Sequence, residues 1–194
     1  MDQFMSWMAE AFDLPILDWI AENIANPVLD AVMPVITVLG DAGIFWILCA
    51  VALLCFPKHR KTGLAMGAAL IIGLLICNLT LKPLVERIRP YDYQAKYLGN
   101  EIKLLISRQS DFSFPSGHTI ASFEAATVLM IRNKKLGVPA LVLAILIAFS
   151  RLYLYVHYPT DVLVSVVLGV GIAFLGNFLV NKGFALWEKH KLAA

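Results

Sequence analysis

The run from Thr62 to Leu81 contains no charged residue, and its twenty positions match what an α-helix needs to cross the hydrocarbon core of a bilayer. Val162 to Val180 repeats the pattern over nineteen positions. Leu136 to Ser150 is also uncharged and extends through Leu152–Val156. Two shorter stretches, Gly43–Phe56 and His118–Ile131, complete the set, and the second contains Glu124. Apolar residue types make up 59% of the 194 residues and charged types only 15%. A small globule exposes too much of its area to keep that apolar surface from water, so lipid is the natural solvent. The expected fold is all-α, a polytopic membrane helical bundle with five transmembrane helices.

The first 40 residues differ. Asp2, Glu10, Asp13, Asp18, Glu22 and Asp30 are scattered among aromatic and aliphatic residues, and Pro15, Pro27 and Pro34 break the segment into pieces. Short amphipathic helices on the membrane surface fit this pattern. A kinked sixth span over about residues 24–40 is the alternative. The chain thus reads as one domain, 1–194, with an amphipathic segment 1–40, a transmembrane core 41–181 and a tail 182–194. The first cation is Lys58, so the basic start of a cleavable signal is not seen. Cys49, Cys55 and Cys77 sit in apolar stretches without metal-ligand spacing and read as packing residues.

Orientation follows from Lys and Arg in the short breaks. Lys58, Arg60 and Lys61, then Arg132, Lys134 and Lys135, then Lys182, Lys189 and Lys191 fall on one side, with Glu188 as the only acid among them. That side should be cytoplasmic. The long connection from Lys82 to Pro115, and the acidic N-terminus, should lie on the extracytoplasmic face of an inner or plasma membrane. Tyr91, Tyr93, Tyr97, Phe112 and Phe114 suit that connection to the lipid–water boundary. A net charge of +2 gives no footprint for nucleic acid.

Three clusters carry chemistry, all expected at the outer face. Lys82 and Arg89-Pro90 end one span, Pro115-Ser116-Gly117-His118 opens the next, and Ser150-Arg151, His157 and Asp161 bridge the last two. Arg forks and a Lys ammonium match phosphate oxygens. Ser116 and Gly117 precede a helix whose free N–H groups favour an anion. Two histidines can divide the work of nucleophile and proton donor, and a carboxylate beside one can fix its tautomer. Arg87 has no assigned partner and reads as a surface or headgroup contact. Glu124 is either a functional carboxyl or a protonated group packed between helices.

Together these residues resemble the type 2 phosphatidic acid phosphatase superfamily, whose pattern is K-x6-R-P, P-S-G-H and S-R-x5-H-x3-D. Every fixed position is present, in order and at the right spacing, between residues 82 and 161. The resemblance implies a helical bundle that hydrolyses a lipid phosphate or diphosphate without a metal or other cofactor. Undecaprenyl diphosphate, phosphatidylglycerophosphate and phosphatidate are the implied substrates. It implies that Lys82, Arg89 and Arg151 hold the phosphate, with Ser116 and Gly117 adding hydroxyl and backbone donors. His157 would attack phosphorus to give a phosphohistidine, oriented by Asp161. His118 would protonate the leaving group and later activate water. A lipid phosphotransferase would use the same residues. A transporter or scaffold would bind the anion without turnover. Vanadium haloperoxidases share the motifs, but they are soluble, against this composition.

Overall fold

The computed structural model describes residues 3–193, and these contain helices and no β-strand. Helices α1 (Gln3–Met8) and α2 (Leu14–Asn23), joined by a π-helical turn, precede α3 (Pro27–Val38) and α4 (Ile44–Cys55). Helix α5 (Arg60–Leu74) continues through a π-helical segment, Leu75–Leu81, into the short α6 (Lys82–Val85) and α7 (Pro90–Tyr93). Then come α8 (Gly117–Arg132), α9 (Lys134–Tyr153) and the long α10 (Pro159–Ala193).

Side-chain caps mark where several helices begin. The Asn26 side chain accepts from the Val28 and Leu29 amides, Ser116 from Thr119, and Asn133 from Lys135. Such caps satisfy N–H groups that have no partner inside the helix.

Helix α8 lies at the centre, packed against α5, α9 and α10. Its buried face includes Ser122, Ala125 and Ala126, small enough to let neighbouring backbones come close. At Gly169 of α10 a Cβ would stand 2.9 Å from the Ile120 carbonyl oxygen, so only glycine permits this crossing. Trp46 of α4 donates its ring N–H to the Ser122 hydroxyl at 3.0 Å, which removes an unpaired polar group from the same interface. The outward faces are apolar. Val167 is 72% exposed and Phe178 59%, as expected of surface that meets lipid tails rather than water.

Three helical stretches, Pro57–Leu98, Lys134–Tyr153 and Pro159–Leu192, are long and apolar enough to cross a membrane. A fourth arises if Pro27–Val38 and Asp41–Cys55 count as one span bent by 42°. Counted that way, residues 27–38 lengthen the span predicted at 43–56. The bend falls at Ala42 (φ 49°) and Gly43 (φ 67°), both left-handed. Helix α8 has only 16 residues, yet it carries the chain from Ser116 to Asn133 before α9 returns it to Arg151. At 1.5 Å per residue it covers about 24 Å, short because it is enclosed by protein.

The N-terminal helices pack onto the bundle. Ala9, Leu14, Leu17 and Ile20 are buried against Tyr91, Tyr93, Tyr153 and Tyr155. Three nearby acids accept from these tyrosines: Glu10 from Tyr93, Asp18 from Tyr155, Asp30 from Tyr153. Phe4, Trp7, Phe12 and Trp19 remain exposed on the other side, as an interfacial face requires. Tyr91 and Tyr93 are thus core residues, contrary to the boundary position expected for them, whereas Tyr97 and Phe112 are exposed. Helix α10 runs on through residues 182–193, the segment read as a tail. The basic breaks meet at the far end of the bundle: Lys58, Lys61 and Arg132 line one depression, and Lys61 pairs with Glu188 at 3.9 Å.

Candidate active site

The three motif clusters converge at one end of the bundle. Lys82, Arg89, His118, Arg151 and His157 all face a single cavity of about 980 Å³. Its polar end is formed by these residues, and its remainder runs along α4 and α5 past Ile47, Val51, Leu54, Leu64, Ile71 and Leu74. Gly117 lines it too, while Ser116 does not.

His157 sits in the turn between α9 and α10, held by its amide and that of Val156, which donate to the Arg151 carbonyl. It is 1% exposed. Burial, then the charges of Arg89, Arg151 and Lys82, hold its pKa well below the ordinary histidine value, so the ring is neutral near pH 7. Its Nε2 stands 3.3 Å from Arg89 Nη1. Guanidinium nitrogens only donate, so Nε2 must present its lone pair and the ring proton must sit on Nδ1. The nearest acid to Nδ1 is Asp161, whose Oδ2 lies 3.6 Å away, and Nδ1 makes no hydrogen bond. The expected His157–Asp161 bond is therefore an approach rather than a formed contact.

Asp161 is occupied by other donors. Arg87 Nη1 donates to its Oδ1 at 2.5 Å, and the Ser113 hydroxyl and Tyr158 amide donate to Oδ2 at 2.5 and 3.1 Å. Arg87 also donates to Asp13 Oδ2 at 2.6 Å, and its guanidinium stacks 3.8 Å from the Tyr158 ring centre. Expected on the surface, Arg87 is 2% exposed. Nothing in its spacing reveals this, because its partners lie 74 positions away in both directions.

His118 begins α8, and its Nε2 is 2.7 Å from Asp41 Oδ1 and 3.4 Å from Arg151 Nη1. Both histidines thus have a carboxylate nearby, and the closer pair belongs to His118. Asp41 carries no sequence signal, since it enters the site from the bend between α3 and α4, 77 positions from His118. Ser116 is fully buried and already committed: its amide donates to the Ser165 hydroxyl at 2.8 Å and its own oxygen caps α8. The first α8 hydrogen bond runs from the Ile120 amide to the Ser116 carbonyl, which leaves the Gly117 and His118 N–H groups to face an anion.

The cations are buried and held. Arg151 donates to the Thr37 hydroxyl at 2.5 Å, and Arg89 to the Val156 carbonyl at 2.7 Å. Lys82 and Arg89 both contact Asp111, an acid that the motifs do not include. Glu124 lines the same cavity on α8, 1% exposed, facing Gly73, and its Oε2 has no hydrogen-bond partner. Among the described residues, no group of three or more His, Cys, Asp or Glu side chains could hold a metal ion.

A membrane helical bundle with three cations and two histidines at the mouth of an apolar cavity has the features of a lipid phosphatase. Residues 62–184 match the PAP2 superfamily, and the chain belongs to it. It is 34% identical to undecaprenyl-diphosphatase BcrC of Bacillus subtilis (strain 168), over 77% of this chain and 74% of that protein. It is 38% identical to decaprenylphosphoryl-5-phosphoribose phosphatase of Mycobacterium tuberculosis (strain CDC 1551 / Oshkosh), over 67% of this chain and 68% of that one. The crystal structure of a transmembrane PAP2-type phosphatidylglycerolphosphate phosphatase from Bacillus subtilis superposes with a TM-score of 0.70 at 29% identity, over 89% of this chain and 86% of that one. The protein is a hydrolase of this lipid phosphatase family, acting on phosphate esters or diphosphates.

Proposed function

We propose that the protein hydrolyses a membrane lipid phosphate or diphosphate through a phosphohistidine on His157, with undecaprenyl diphosphate as the first candidate substrate. The observation that carries this reading is one cavity with a cationic, histidine-lined mouth and a long apolar body. A phosphoryl group seated between Lys82, Arg89, Arg151 and the Gly117 and His118 amides leaves its lipid to run along α4 and α5. The similarity to BcrC favours a polyprenyl chain.

The Nε2 lone pair of His157 attacks phosphorus as the bond to the leaving oxygen breaks. His118, protonated once the anionic substrate is seated beside it, gives that oxygen its proton and becomes neutral. It then takes a proton from water, whose oxygen attacks phosphorus and breaks the P–Nε2 bond, releasing phosphate and returning both rings to their starting states. Asp161 balances the cation that forms on His157, and its 3.6 Å gap is of the kind that tightens when substrate binds. Asp41, in contact with His118, supports the imidazolium that donates. Phosphate release from a panel of lipid phosphates in detergent tests the activity and ranks the substrates. Binding of these lipids with no phosphate released would point to a transporter or scaffold.

The phosphate charge is met by three cations, so activity should persist in EDTA. Loss of activity that Mg²⁺ restores would show a metal in the mechanism.

The catalytic end belongs on the extracytoplasmic face, because the Lys- and Arg-rich breaks gather at the opposite end. Single cysteines at Glu101 and Lys61, in a cysteine-free background, report the sidedness. An impermeant thiol reagent on intact cells should label position 101 and spare 61; the reverse pattern inverts the topology.

A further inference from the structure

Asp111 lies in the connection between α7 and α8, five positions before Ser116. Its side chain is 50% exposed, yet both carboxylate oxygens are engaged by cations of the site. Oδ1 accepts from Arg89 Nη2 at 2.5 Å, and Oδ2 accepts from the Lys82 ammonium. Arg89 Nε also holds the Asp111 carbonyl at 2.9 Å. A two-oxygen anion is thus bridged by one guanidinium nitrogen and an ammonium, donors that two phosphoryl oxygens can also take. Burial of Asp111 opposes its charge, but Lys82 and Arg89 outweigh this and hold its pKa down to about 2, which favours the anion.

The backbone on either side is pinned. The Gln109 amide donates to the Tyr91 hydroxyl at 3.1 Å, and the Ser113 amide to the Arg87 carbonyl at 2.7 Å. The carboxylate can leave by rotation about its own side-chain bonds, into the solvent that already reaches half of it, with no loop to open.

We propose that Asp111 is an internal competitor for the phosphate site, displaced by the incoming phosphoryl group and returning to Lys82 and Arg89 when product phosphate leaves. The proposal rests on the reading of Lys82 and Arg89 as phosphate ligands. An anion that must displace Asp111 loses part of the attraction of two cations. A lipid substrate recovers that loss from burial of its chain in the apolar cavity. Free phosphate has no chain and is left weakly held, so a strongly cationic site still releases its product. Without a substrate, the same carboxylate relieves the repulsion among Lys82, Arg89 and Arg151, three buried like charges.

The test is equilibrium binding of inorganic phosphate to the full-length protein in detergent, read as ligand-dependent thermal stabilisation. Asp111→Asn keeps the shape and removes the charge, and Asp111→Ser repeats the test without the amide. Both should bind phosphate with a Kd lower by about 10-fold or more, the scale expected when a direct charge pair is removed from competition. A lipid phosphonate, whose C–P bond is not cleaved, should gain by the same factor, because it displaces the same carboxylate. An unchanged or weaker phosphate Kd in both variants would make Asp111 a positioning residue that holds the cations, and the proposal would fall. A gain for the phosphonate alone would place Asp111 against the lipid rather than in the anion site, and would also overturn it. If neither parent nor variants respond to phosphate while the phosphonate binds, the phosphate-ligand reading fails first.

Discussion

Replacement of His157 by alanine should abolish both turnover and any covalent phosphoenzyme. Its Nε2 lone pair is oriented by Arg89 Nη1 at 3.3 Å, whereas the Nε2 of His118 is engaged by the Asp41 carboxylate at 2.7 Å. Loss of the nucleophile removes the covalent route, and losses of about 10⁴-fold or more are typical when a member of such a unit is deleted. His118→Ala should behave differently. Formation of the intermediate needs a proton for the leaving oxygen, and a departing lipid phosphate needs less help than an alkoxide. Breakdown needs a base for water, and the imidazole that supplies it is gone. Rapid quenching in alkali, which preserves phosphohistidine, should therefore trap phosphoryl label on His157 in the His118→Ala protein. Label on His118 in the His157→Ala protein would exchange the two roles. The presence of a nearby carboxylate cannot decide between them, since Asp41 lies 2.7 Å from His118 and Asp161 lies 3.6 Å from His157.

Arg87→Met should cost the protein more stability than any change at the rim. Arg87 bridges Asp13 and Asp161 at 2.6 and 2.5 Å, and both acids are fully buried. Removing the guanidinium leaves two carboxylates facing each other without a counter-charge, and breaking a buried pair in this way costs about 3–5 kcal/mol. The change should lower the thermal unfolding temperature in detergent and reduce turnover, because Asp161 loses the donor that aims it. Arg87→Met with Asp13→Asn removes one of the stranded charges and should recover part of the stability while leaving Asp161 unaimed. Recovery of stability without recovery of turnover would identify Arg87 as a positioning residue. An Arg87→Met protein as stable as the parent would mean that water reaches the three side chains, and the burial argument would fail. The same contact explains why residues 3–23, outside the family match, belong to the working unit: Asp13 also accepts from the Thr160 amide at 2.9 Å.

Much of the architecture was written in local chemistry. A run without charge from Thr62 to Leu81 has nowhere to go but lipid, and the Lys- and Arg-rich breaks meet at one end of the bundle because they alternate with such runs. The phosphate-site candidates were legible too, because Lys82, Arg89, Gly117, His118, Arg151 and His157 lie at helix ends, where spacing along the chain becomes adjacency at one face. What spacing could not show were the acids that gather around them. Asp13, Asp41 and Asp111 reach the site from three separate segments, and their contacts depend on how α2 packs, how the α3–α4 bend turns and how a loop is pinned. In a low-dielectric site such charges must find partners wherever the fold supplies them. The sequence alone determined the membrane bundle and its cationic, histidine-bearing end. Tertiary packing decided which of these residues a carboxylate meets, because a charge pair is set by distance in space, which the spacing of two residues along the chain does not define.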